Sequence, residues 1–325
     1  MATLPAVSAP PHAGARALVM RLRKGDEVAR LITLAFASSI LLVTVALVYQ
    51  LWVGSELARH KFGFHFLTTS MWDPVSGQFG ALPFIYGTVI TSVIALLIAV
   101  PLGVGAAIFL SELAPARLSS TFTFFIELLA AVPSVIFGVL AFFAIVPLMR
   151  DYVDPFLKKT LGFLPFFSGP IFGYGYLTAG VILAIMTLPF IISISREALL
   201  DVPVEQREAA LALGATRWES TWQAVVPWAR LGIFGSIFLA LARALGETMA
   251  VTMVIGNDPN IHASLFAPGY AIAAILANDF TEATGDLYPQ ALVALGLVLF
   301  LLTIVINALA RLLIIATTRR GSAHP

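Results

Sequence analysis

The chain has 325 residues, of which 59% are hydrophobic and 11% charged, with a formal net charge of +1 and no cysteine. A soluble domain carries roughly 25% charged residues, so this composition, with a mean hydropathy of +0.93, excludes a string of soluble modules and marks an all-α integral membrane protein. The near-zero charge offers no bulk attraction to nucleic acid, and the missing cysteines exclude disulfides, thiolate metal sites and thiol chemistry.

Residues 1–30 read as a cytoplasmic tail, the first 15 of them rich in Ala and Pro and expected to be disordered. Six apolar runs follow, at about 31–53, 84–110, 121–148, 171–195, 229–256 and 290–315. Each meets the need for about 20 apolar residues to cross a bilayer. The first is too long for a signal-peptide core and lacks a cleavage pattern, so it is expected to remain as a span. Residues 31–315 form one six-span domain, and 316–325 a second cytoplasmic tail. Of the 19 Lys and Arg residues, 13 fall on the side of the termini, five on the other, and Arg243 lies within the membrane. That asymmetry predicts both termini in the cytoplasm. Pro101, Pro133 and Pro189 fall inside expected spans, where neighbouring helices satisfy the freed carbonyls. Gly103 and Gly105 read as a helix-packing site.

Span three, taken as continuous, places Glu127, Ala130, Ala131, Ser134 and Gly138 on one small and polar face. Between spans four and five lies a charged, helix-prone loop, residues 196–228. Asp201 is expected to cap a first helix with Pro203 in its opening turn, and Gly214 to end it. Thr216-x-x-Glu219 is a capping box for a second helix. Two short capped helices form a compact object suited to docking on a partner.

Span five, expected as one helix over about 229–256, carries Arg243 and Glu247. An Arg near the centre of a spanning helix costs about 2.5–3.5 kcal/mol on insertion scales. At ~1.5 Å per residue Arg243 lies about 21 Å along the helix, near mid-membrane. Residues 232, 236, 239, 243, 246, 247 and 250 share a face that, Leu239 apart, is small or polar. Such a face lines a narrow polar path or a tight interface. A guanidinium suits an oxyanion in transit, since its forked donors match the oxygens and it stays charged. Glu247, four residues on, is expected to hold Arg243 between passages, although a purely structural ion pair is the competing reading. The proposed path residues are Arg243, Glu247, Glu127, Ser134 and Ser236. Glu127, Glu247 and Arg243 sum to −1 with both acids ionised, so either one Glu is protonated or Glu127 pairs with a partner chain. Gating and subunit pairing are equal readings for Glu127. The last outer loop, 257–289, carries Asp258, Asp279, Glu282 and Asp286 and no basic residue. An acidic mouth would repel a free anion, and a plain solvated acidic loop is the competing reading; residues 270–277 read as a helix at the mouth.

The spacing Glu208-Ala209-Ala210, Gly214, then nine residues to Ala224-Val225-Val226-Pro227 resembles the EAA motif of ABC importer permeases, with smaller residues in place of Ile and Leu. The stretches 127–138, 242–257, 264–280 and 285–300 resemble the PstC-type permeases of phosphate importers, and the likeness runs from about 84 to 315. The Met-Ala-Val-Thr that follows Gly-Glu-Thr separates this type from the sister permease, which continues Ala-Pro-Leu-Leu. This resemblance implies a type I importer fold and a bacterial inner-membrane location. It implies as partners a sister permease in a heterodimer, a cytoplasmic ATPase pair and an extracytoplasmic phosphate-binding protein. Glu208, Ala209, Ala210, Gly214, Thr216 and Arg217 would then couple to the ATPase. The chain itself is expected to be no enzyme and to bind no metal or cofactor. None of its four lysines sits in a P-loop, so ATP and Mg would be used by the partner. A permease for another oxyanion shares the EAA loop, whereas an ATP-independent transporter or channel has no need of it.

Overall fold

The computed structural model describes residues 26–321. The expected disorder of residues 1–15, and the basic residues from Arg16 to Lys24, lie outside the described residues. The chain divides into two units, 1–54 and 55–325. In the first, the described residues form one helix, Asp26–Gly54, whose apolar segment Glu27–Gly54 is span one. Three of its hydroxyls bond within the helix: Thr33, Ser39 and Thr44 donate to the carbonyls of Ala29, Phe36 and Ile40. That satisfies the polar group without a partner outside the helix.

The second unit holds the other five spans: Leu82–Leu113, Ser134–Leu161, Tyr176–Leu200, Arg217–Gly246 and Leu287–Leu312. Smaller helices α1 (Glu56–Phe62) and α2 (His65–Thr68) precede span two, with a hairpin of β1 (Trp72–Asp73) and β2 (Gln78–Phe79). The hairpin and a single parallel bridge between Gly256 and Gly269 are the departures from an all-helical chain among the described residues. It is held by aromatic packing: Trp72 lies edge-on to Phe84 at 4.9 Å, and Phe79 stacks on Tyr288 at 5.3 Å.

Span four is the most enclosed element, packed along span two and against span five. Glycines set the approach of these helices. A Cβ on Gly103 would meet the Ile191 side chain at 2.7 Å, and one on Gly180 would meet Ile94 at 2.4 Å. Gly103 is the packing residue expected from the sequence; a Cβ on Gly105 would meet nothing within 4 Å. Spans four and five close on each other where a Cβ on Gly232 would come within 2.3 Å of the Ala198 Cβ. One turn away, the buried hydroxyls of Ser195 and Ser236 are 2.8 Å apart.

Three spans differ in extent from the sequence expectation. Span three starts at Ser134, not near 121; residues Ala116–Ala130 form a separate helix, α3. Pro133 (ψ 140°) causes the break, because it lacks an N–H and its ring bars the preceding residue from helical geometry. Glu127 therefore lies in the last turn of α3, exposed, and the single face from Glu127 to Gly138 does not form. Span four runs on to Leu200, so Asp201 closes it rather than capping the next helix, which is α4 (Val204–Ala212) behind Pro203. Span five begins at Arg217 and ends at Gly246; the expected helix through residue 256 is interrupted.

Candidate functional site: the break in span five and the loop before it

At Gly246, a poor helix former, span five stops. Glu247 is extended (φ −70°, ψ 126°), and a short helix α5 (Met249–Val254) resumes two residues later. Irregular backbone at membrane depth persists only where it is buried in protein or lines a cavity. Interrupted helices of this kind are where transporters place their substrate sites. Span three packs on α5 so closely that a Cβ on Gly138 would meet the Met253 sulfur at 2.6 Å and the Ala250 Cα at 3.0 Å.

Arg243 lies in the last turn before the break, half-buried, where a cation also complements the helix C-terminus. Its guanidinium carbon is 4.4 Å from the centroid of the Phe190 ring on span four, a cation–π geometry. Its Nε is buried with no hydrogen-bond partner. Among the described residues no carboxylate stands within ion-pair distance of it. The expected Arg243–Glu247 pair is thus not formed. Because the helix ends between them, the two side chains no longer share a face one turn apart. Glu247 instead points along the chain, with its Oε1 3.5 Å from the Ala250 N–H at the start of α5.

The remaining path candidates are divided. Ser134 is half-buried at the first position of span three. Ser236 is fully buried: its hydroxyl donates to the Ile233 carbonyl at 2.7 Å and meets Ser195. Its place is therefore the tight interface between spans four and five, one of the two readings open for that face.

The loop after span four folds as its caps dictate. Gly214 takes φ +90°, a conformation that favours glycine, and ends α4 just past its last turn. The Thr216 hydroxyl accepts from the Glu219 N–H, and the Glu219 carboxylate accepts from the Thr216 N–H at 2.8 Å, completing the capping box. The second helix is not free-standing, since it is the first turn of span five. Glu208 and Ala209 are exposed and Ala210 half-exposed. Ala209, Ala210, Gly214 and Ala224 line an open cleft of about 500 Å³ between the two arms of the loop.

Beyond the break, the acidic loop after α5 folds back onto the start of span four: Tyr176 donates to the Ala267 carbonyl and Leu177 to that of Leu265. A helix lies at the expected place, α6 (Ile272–Asp279). Asp279 accepts from Tyr270 and Tyr288, and Asp258 from the Asn260 backbone N–H and side-chain amide, with His262 Nε2 at 3.2 Å. No group of His and acidic residues suited to a metal occurs among the described residues.

Sequence reasoning passed over Phe190, Ser195, Glu112 and Arg207. Phe190 follows Pro189 in a uniformly apolar run, and nothing local marks it as the partner of a residue 53 positions on.

Residues 99–316 match the family described as binding-protein-dependent transport system inner membrane component. The phosphate transport system permease protein PstC of Mesorhizobium japonicum is 47% identical over 94% of this chain and 95% of its own length. That of Haemophilus influenzae is 47% identical over 87% of this chain and 90% of its own. A probable PstC of Methanocaldococcus jannaschii is 38% identical over 88% and 92%. Among solved structures, a chain of a bacterial ABC transporter involved in the import of the acidic polysaccharide alginate superposes with a TM-score of 0.60. It is 17% identical and covers 92% of this chain and 99% of its own, a likeness of fold alone.

Proposed function

Because this chain belongs to the binding-protein-dependent transport inner membrane component family, we propose that it is one permease half of an ATP-driven importer of inorganic phosphate. The observation that carries the reading is the near-complete, 47% identical match to a phosphate permease. The ATP chemistry belongs to a partner ATPase pair with its Mg; this chain supplies the path and the docking loop, and holds no cofactor. A sister permease completes the path, and an extracytoplasmic binding protein delivers the ion past the acidic mouth. Both termini and residues 196–228 face the cytoplasm, as the basic residues require. Glu208, Ala209, Ala210, Gly214, Thr216 and Arg217 meet the ATPase.

Arg243 is the cation that phosphate meets in transit. Its Nε has no protein partner and its face rests on Phe190. The stack holds the guanidinium plane while leaving donors for a tetrahedral oxyanion. Ser134 lines the same path. Glu247 belongs to the break that opens the site. Exposed Glu127 faces the sister permease. Because Arg243 and Glu247 are on opposite sides of a helix break, the site changes shape as spans three and five move, which alternates its access.

The test is uptake of labelled phosphate into proteoliposomes holding the complete complex with binding protein and ATP. ATP-dependent uptake that excess sulfate does not compete supports the assignment. Uptake without ATP removes the class, and competition by sulfate removes the substrate.

A further inference from the structure

Arg207, in α4 immediately before Glu208, ties three segments together. Its Nη2 donates to Glu112 Oε1 at 2.9 Å and its Nε to Glu112 Oε2 at 3.2 Å, a two-point fork. Glu112 lies in the π-helical turn Phe109–Leu113 that ends span two. The same guanidinium donates to the Leu199 carbonyl at 2.7 Å and to the Val202 carbonyl. These belong to the last turn of span four and the link beyond it, where helix carbonyls lack intrahelical partners. The paired side chains are 21% and 11% exposed, so water screens the link little. A second tie runs beside it: Arg196 of span four donates to Ser119 of α3 at 3.4 Å, and Ser119 donates to the Leu110 carbonyl of span two at 2.8 Å.

The other arm of the loop needs no such link, because Arg217 and Arg243 belong to the same helix. The first arm is joined to its neighbours by chain only through Asp201–Pro203 and, beyond Gly214, through the next helix. A force applied to α4 would otherwise be absorbed in those short irregular links. Coupling between distant sites is carried by rigid elements and bonded networks with discrete arrangements.

We propose that the Arg207–Glu112 fork is the mechanical link of the coupling loop, making α4 and the inner ends of spans two and four move as one body. Arg207 is a positioning residue: it acts through Glu112 and the span-four carbonyls and does not touch phosphate. This rests on the reading above that α4 docks on the ATPase pair.

The experiment measures phosphate imported per ATP hydrolysed by the reconstituted complete importer, for Arg207→Gln, Glu112→Gln and the double variant. ATP hydrolysis stimulated by the binding protein is expected to persist in all three, while phosphate moved per ATP falls about three- to tenfold. The double variant is expected to be no worse than the more affected single one, since both break the same link. Uptake and hydrolysis falling in proportion, or an unchanged ratio, would overturn the proposal. Glu112→Gln leaves the Arg207 bonds to the span-four carbonyls in place, so it decides the matter where Arg207→Gln does not assemble. Failure of both to assemble would make the pair a folding element and overturn it too. A wild-type complex that hydrolyses ATP without moving phosphate would instead sink the functional assignment.

Discussion

The guanidinium of Arg243, at the end of span five, sits over the Phe190 ring of span four, its central carbon 4.4 Å from the ring centroid. The contact joins span four, the most enclosed of the six spans, to span five just where span five breaks off. It holds a permanent charge by packing rather than by pairing with a carboxylate.

Arg243→Ala is expected to abolish phosphate uptake while the complex still assembles, read by uptake and by size-exclusion of the purified complex. Arg243→Lys is expected to retain little, since an ammonium offers neither the fork nor the planar stack. Phe190→Ala should lower uptake less than Arg243→Ala, because it loosens the guanidinium without removing it. Full uptake by Arg243→Ala would show that the charge is structural.

Gly232→Val places a side chain where a Cβ would already lie 2.3 Å from Ala198. Overpacking of this kind costs about 1–3 kcal/mol, so the thermal midpoint of the purified complex is expected to fall. Gly105→Val, at a position with nothing within 4 Å, is the control expected to leave that midpoint in place.

The turn between α4 and the start of span five depends on Gly214 at φ +90°. Gly214→Ala meets no neighbour, so its expected cost, about 1–2 kcal/mol, is purely conformational. Thr216→Ala removes the capping box at about 1 kcal/mol. Hydrogen exchange over residues 213–222 should quicken in both variants, and an unchanged rate would mean that the partner ATPase, not the caps, orders the turn.

Asp258 is influenced most by burial, which raises its pKa, but the donors from Asn260 and the contact with His262 outweigh it and hold the carboxyl below its ordinary range. A depressed folded value means that its contribution is present above the unfolded value, near 3.9, and is lost only as pH falls through the lower folded one. Hydrogen exchange of residues 256–269 should therefore not quicken as the pH is lowered from 8 to about 5. Asp258→Asn should quicken it across that range, and a loop that loosens in the wild type near pH 6 would contradict the assignment.

Membrane class, the number of spans, the Gly214 turn and Thr216 capping box of the loop after span four, and a charged Arg243 inside an apolar span were legible in the sequence. Each is written in local composition or spacing: apolar runs of bilayer length, a Thr-x-x-Glu box, a lone charge in an apolar stretch. The breaks at Pro133 and Gly246 were not legible. A proline or glycine in a membrane helix is tolerated or not according to what its neighbours supply. The partners were hidden as well. Glu112 and Arg207 are 95 residues apart, Arg243 and Phe190 sit on different spans, and Ser195 meets Ser236 across a helix contact. Hydropathy and motif spacing constrain each helix separately, so the sequence by itself determined which elements the chain is made of. Which face of each helix meets which neighbour follows from the packing of all of them at once, and that the tertiary structure alone decided.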